Sequence, residues 1–138
     1  MASSNLSESL VITAAGDDQV GLVERFTSRI TDVGGNIAES RMVALGGQFA
    51  IIIHVGGPWN ALAKLENDLG GIGETLGLTI SHRRSHGRQH QAAVIPYRVD
   101  IVSLDHPGIV HRLSHFFSAR AINIEELQTD TYPAPHTG

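Results

Sequence analysis

The chain contains no cysteine, so it has neither a disulfide framework nor a thiolate metal site. Its first residues, Met1 to Glu8, are polar and lack both the basic start and the apolar core of a signal peptide. The longest apolar run, Phe49–Ile53, is far too short to cross a bilayer. Basic charge is scarce as well: 10 Lys and Arg stand against 14 Asp and Glu, for a net charge of −4. The one basic cluster, Arg83-Arg84 to Arg88, is too short to form a nucleic-acid surface. These absences lead to the expectation of a soluble cytoplasmic protein that touches neither membrane nor nucleic acid directly. With 138 residues and 41% hydrophobic content, the chain can bury a core and suits one or two small domains.

What the sequence does contain is a repeat. The stretch Asp18-Gln19-Val20-Gly21-Leu22-Val23 leads through a helical pattern to Gly34-Gly35-Asn36-Ile37. It returns as Asp105-His106-Pro107-Gly108-Ile109-Val110, leading to Asn123-Ile124. One constant offset relates Asp18 to Asp105, Gly21 to Gly108, Arg25 to Arg112 and Asn36 to Asn123. Each copy opens with strand alternation, Leu10-Ile12-Ala14 and Tyr97-Val99-Ile101. Helical spacing follows, in Val23-Phe26-Ile30-Val33 and Val110-Leu113-Phe117. Asp18 and Asp105 are placed to cap these helices, and Pro107 suits a first helical turn.

Copy one reads as strand 8–15, helix 20–33, strand 36–45, a Gly46-Gly47 hairpin turn and strand 48–55. Both faces of the last strand are apolar, which places it centrally in a sheet. Gly56-Gly57-Pro58 then starts a second helix carrying Leu62, Leu65, Leu69, Ile72 and Leu76, with a weakening or kink expected at Gly70-Gly71. A fourth strand covers 78–84. The order β-α-β-β-α-β predicts an α+β, ferredoxin-like module with both helices on one face of an antiparallel sheet. The domains expected are 8–84, a linker at 85–93, and 94–138 as the N-terminal half of a second module: strand 97–103, helix 107–119 and strand 123–132. Such a half leaves an apolar helix face and strand edges uncovered.

A helix N-terminus presents unpaired N–H groups and partial positive charge. With glycine there, at Gly21 or Gly108, a ligand can approach the backbone, and a carboxylate or phosphate would fit. The alternative is that each glycine only lets helix and strand pack closely. Other candidates are weaker. His111 and His115 stand one helical turn apart but on the wet side of their helix, with no carboxylate to complete a metal set. His82, His86 and His90 run into a Gly-containing linker. His54 reads as a hydrogen-bonded strand histidine and Trp59 as a packing anchor. No nucleophile–base pair or paired carboxylates emerge, so neither an enzyme, a metal nor a cofactor is expected.

The paired D-x-x-G-[LI]-V turns, each followed by a helix and an Asn-Ile strand start, resemble the ACT domain, a small-molecule regulatory module. Two such turns in a short chain, with Pro58-Trp59-Asn60-Ala61-Leu62 opening a helix, look like the glycine cleavage system transcriptional repressor family. The resemblance implies an amino-acid effector, glycine in particular, held at the turn and the start of the second strand, often between modules. By position this points to Asp18, Gln19, Val20, Gly21 and Asn36, and in copy two to Asp105, His106, Pro107, Gly108 and Asn123. Copy one departs from the more usual Pro before glycine by having Val20. The family further implies action through a LysR-type activator rather than on DNA, and self-association. A regulatory portion of an enzyme such as formyltetrahydrofolate deformylase is the competing reading.

Overall fold

The computed structural model describes residues 8–85, 95–104 and 107–131. The chain divides into two compact units, 1–92 and 93–138. In the first, β1 (Ser9–Asp17), α1 (Leu22–Asp32), β2 (Asn36–Leu45), β3 (Gln48–Gly56), α2 (Trp59–Leu76) and β4 (Leu78–Ser85) follow in the expected order. The four strands form one sheet in the order β2-β3-β1-β4, antiparallel at every pairing. Two facts force this arrangement. β3 has apolar side chains on alternate positions of both faces, so it takes an interior place. β1 then reaches β2 only across β3.

The core lies between the sheet and the two helices. β1 contributes Leu10, Ile12 and Ala14, and β3 contributes Phe49, Ile51, Ile53 and Val55. α1 buries Leu22, Phe26 and Ile30, one residue per turn. Leu22 rather than Val23 begins the buried stripe, and the helix starts two residues later than periodicity alone placed it. α2 runs unbroken through Gly70-Gly71. Leu62, Leu65 and Leu69 before that pair, and Ile72 and Leu76 after it, are all buried on one stripe. Packing on both sides therefore outweighs the propensity cost of the two glycines, about 1 kcal/mol each. Gly73 is the glycine that packing requires: a Cβ there would lie 2.7 Å from the Leu78 carbonyl.

A charge cluster ties α2 to β4. Arg84 donates Nε and Nη2 to the two Glu66 carboxylate oxygens at 3.1 and 3.0 Å, and Nη1 to Glu8 at 2.6 Å. The Arg84 guanidinium hydrogen-bonded to Glu66 holds that carboxyl below its usual range, against the opposing effect of burial. His54 Nε2 lies 2.7 Å from Ser9 Oγ, as a hydrogen-bonded strand histidine should. Trp59 is not a packing anchor: it is the first residue of α2, stands before the buried stripe begins, and is 71% exposed.

In the second unit the described residues contain one regular element, α3 (Ile109–Ser118). The strands expected at 97–103 and 123–132 do not form over the described residues 97–103 and 123–131. The topology of the first unit supplies the physical reason. There the first and second strands share no hydrogen bonds, since the third stands between them. Among the described residues of the second unit no such third strand is present, so the segments 97–103 and 123–131 have no ladder partner there. The expected linker falls mostly outside the described residues.

The backbone at both ends of α1 and α3 is nevertheless alike. Gly21 and Gly108 are N-caps with nearly the same left-handed backbone, φ 83 and ψ 4 against φ 85 and ψ 0. The N–H groups of Gly34 and Gly35 donate to Thr31 and Ile30. Those of Ala121 and Ile122 donate in the same way to Ser118 and Phe117. This paired closure of a helix C-terminus needs a left-handed residue just beyond it.

Candidate effector site

The mouth of α1 is built by the turn at 18–21. β1 ends at Asp17, whose Oδ1 accepts from Gln48 Nε2 at 2.7 Å. The Asp18 N–H donates to the Gly47 carbonyl at 3.1 Å, pinning the turn to the β2–β3 hairpin. The Gln19 carbonyl accepts from Leu22 N–H at 3.3 Å, and Gly21 passes the chain into the helix in a conformation that side chains disfavour. Gly21 rather than Asp18 is therefore the N-cap, and no side chain caps the helix. The Leu22 N–H is taken up by the Gln19 carbonyl, and the next N–H groups of the first turn have no intrahelical partner and carry the positive end of the helix dipole. Val20 is 97% exposed and covers nothing.

Gly21 is also not a close-packing glycine. A Cβ there would meet only Arg25 Nη1, at 3.7 Å. The contrast is Gly35, whose Cβ would press on Ile30 and Val55 at 3.0 Å. What Gly21 provides is backbone conformation and open approach.

Arg25 is the residue that sequence reasoning used only as a landmark of the repeat. Its Nη2 donates to Gln19 Oε1 at 3.1 Å, which swings the guanidinium back over the turn. A planar cation thus stands beside a helix N-terminus, and both favour an anion. The available signal was its place one helical turn after Gly21, repeated as Arg112 one turn after Gly108.

Asp18, Gln19, Val20 and Gly21 are brought together at this mouth. Asn36 is not. It begins β2 opposite Gly56, at the sheet end where β1 starts, while the turn follows the end of β1. Eight strand residues separate the two ends, roughly 25 Å. One module cannot offer both to one small ligand. In the second unit Pro107 and Gly108 form the turn before α3, and Gly108 has open space around its Cβ position. Asn123 is exposed in the segment after α3. Asp105 and His106 lie outside the described residues. His111, Arg112, His115, Phe116, Ala119 and Arg120 line a shallow cleft of about 500 Å³ along that helix. Among the described residues no three His, Asp or Glu side chains gather as a metal set, and no helix is long and apolar enough to cross a membrane.

Residues 8–83 match the model of the ACT domain family. The glycine cleavage system transcriptional repressor of Escherichia coli (strain K12) is 35% identical over 125 residues, which are 91% of this chain and 66% of that protein. The chain thus spans just under two thirds of that relative's length. A crystal structure described as that of a candidate glycine cleavage system transcriptional repressor superposes with a TM-score of 0.70, at 25% identity over 94% of this chain and 75% of the other. An unknown protein from Galdieria sulphuraria superposes at 0.64, with 30% identity over 96% of this chain and 75% of its own.

Proposed function

The chain belongs to the ACT domain family, and on that premise we propose that it is an amino-acid-responsive transcriptional regulator acting by protein–protein contact, as a glycine cleavage system repressor would. The likeness to such a repressor over 91% of the chain carries this reading. It reaches well beyond the first module, so the second unit is proposed to be the N-terminal half of a second ACT module. The recurring cap bonds support that. The role is regulatory rather than catalytic.

The effector is a small amino acid, with glycine the first choice. Its carboxylate would sit on the N–H groups opening α1, beside Arg25. Asp18 is placed to accept from the ammonium group. Asn36 would contribute only from another module across an interface, given its distance from the turn. Pro107, Gly108 and Asn123, with Asp105 and His106, would form the corresponding site of the second unit. The partner is a transcriptional activator of the LysR type, and DNA is not touched directly. Self-association belongs to this reading too.

Calorimetric titration of the chain with glycine and a panel of other amino acids tests it. The expected result is saturable heat with at least one small amino acid, and a raised melting temperature. No heat and unchanged melting across the panel would overturn effector binding.

A further inference from the structure

The repeat matches α3 to α1 residue by residue. Ile109, Leu113 and Phe117 hold the places of the buried Leu22, Phe26 and Ile30. On the other side, His111, Arg112, His115 and Phe116 hold those of Glu24, Arg25, Ser28 and Arg29, and Ala119 that of Asp32. All five of these α1 residues stay exposed in a module with its full sheet. The matching face of α3 therefore points outward whatever covers its apolar side.

The two outward faces differ in charge. That of α1 mixes Glu24 and Asp32 with its arginines. That of α3 carries no acid, and no Asp or Glu occurs from Gly108 to Ile124. Among the described residues no carboxylate pairs with Arg112 or Arg120. Phe116 is 46% exposed, with the Arg120 guanidinium 3.7 Å from its ring centre. Arg112 precedes Phe116 by one helical turn, about 6 Å along the axis. With His111 and His115 in the neighbouring row, these residues line the shallow cleft along the helix. We propose that this face docks an acidic helical segment of a protein partner, with carboxylates on Arg112 and Arg120 and an apolar side chain against Phe116.

The inference rests on the reading above, in which regulation runs through protein contact, and names the surface for it. Charge complementarity selects the occupant: two guanidiniums without counter-charge favour carboxylates, and Arg can take each one bidentately. An exposed aromatic flanked by Arg is the composition of an interface anchor. A partner helix repeats its side chains every four residues at about the same 6 Å step, so acid, apolar and acid at i, i+4 and i+8 follow the rows of α3. A nucleic acid fits less well. Two guanidiniums on a chain of net charge −4 offer few phosphate contacts. Arg120 already lies on the ring against which a base would stack.

Amide NMR spectra of the full chain, titrated with an alanine-based helical peptide bearing Glu, Leu and Glu at i, i+4 and i+8, test the docking. Saturable shifts should gather in residues 110–120. Arg112→Glu should weaken binding about tenfold, and Arg112→Gln, which only removes the charge, about threefold. Phe116→Ala should weaken it about fivefold. One of the two peptides with a single Glu replaced by Lys should regain affinity for Arg112→Glu. These positions are exposed, and the amide spectra show whether each variant keeps its fold. No saturable shift, or shifts away from α3, overturns the proposal. So does a peptide with Lys at both acidic positions that binds as well. A DNA duplex that displaces the peptide from the same residues assigns the face to nucleic acid, and shifts there on diluting the chain alone assign it to a second copy; either overturns the proposal. The effector titration is independent of all this. Heat with glycine but no peptide binding keeps the regulator and removes this dock, whereas peptide binding without heat keeps the dock and removes the effector.

Discussion

Gly34 and Ala121 occupy the same place in the repeat and the same left-handed region of backbone space, at φ 94 and φ 57. Each follows a helix, and each lets two N–H groups turn back to the last carbonyls. Glycine adopts that conformation freely, whereas a Cβ costs about 1 kcal/mol. Ala121→Gly should therefore tighten the end of α3. The exchange of the Ile122 amide, bonded to the Phe117 carbonyl, should slow about threefold to fivefold. Gly34→Ala should do the reverse and lower the melting temperature of the first unit by several degrees. Its Cβ would meet Ala61 at an unstrained 3.4 Å, so the loss isolates the backbone term.

Arg25 decides whether the mouth of α1 recognises a carboxylate by charge or by backbone alone. Arg25→Met keeps much of the side-chain length and removes the guanidinium over Gly21. A charge-assisted hydrogen bond lost from a partly exposed site should weaken effector binding about tenfold, read by calorimetric titration. Melting without effector should be nearly unchanged, because Arg25 packs on nothing in the core. An unchanged affinity would leave the carboxylate to the backbone. Gly21→Val is a poorer probe, since φ 83 strains any β-branched residue.

The first module was legible because hydrophobic period and turn chemistry agree at every strand, while in α2 the buried stripe overrode the local signal of Gly70-Gly71. β2 even has the expected bounds, Asn36–Leu45, because Gly35 and Gly46 punctuate both ends. What sequence could not supply was distance. Asn36 and Gly21 both belong to the repeated motif, yet strand length holds them at opposite ends of the sheet. Arg25 was silent for a related reason: its role depends on a side chain folding back onto Gln19, which no periodicity encodes. In the second unit alternation predicted strands at 97–103 and 123–132, but alternation reports amphipathicity, and a strand also needs a neighbour.

Glu66 gives the first module an acid-sensitive brace. Its folded pKa is lowered from 4.5, chiefly by the hydrogen bond from Arg84. The stabilisation is therefore fully present above about 4.5, and is lost as pH falls through the lower folded value. Glu66→Gln cannot titrate. The parent chain should melt above the variant near neutral pH, by an amount matching about 0.5–1 kcal/mol for a partly exposed pair. The two curves should converge in acid below the carboxylate range. Parallel curves from pH 7 to pH 3 would assign the brace no ionic contribution.

The glycines of α2 separate helix propensity from packing within four residues. Gly70 and Gly71 have nothing within 4 Å of where a Cβ would stand, and both are exposed. Alanine at either position should stabilise the first unit by roughly 0.5–1 kcal/mol, through lower unfolded-state entropy and better helix propensity. Gly73 faces the Leu78 carbonyl, whose backbone is held in β4 beside Gly16. A methyl group 2.7 Å from that oxygen cannot be accommodated by rotating a side chain. Gly73→Ala should push α2 away from β4 and cost about 1–3 kcal/mol, as overpacking does. Melting of the three single variants by circular dichroism checks the opposite signs. Stabilisation at all three positions would mean that α2 and β4 separate without penalty, and that the close approach at Gly73 contributes nothing to the fold.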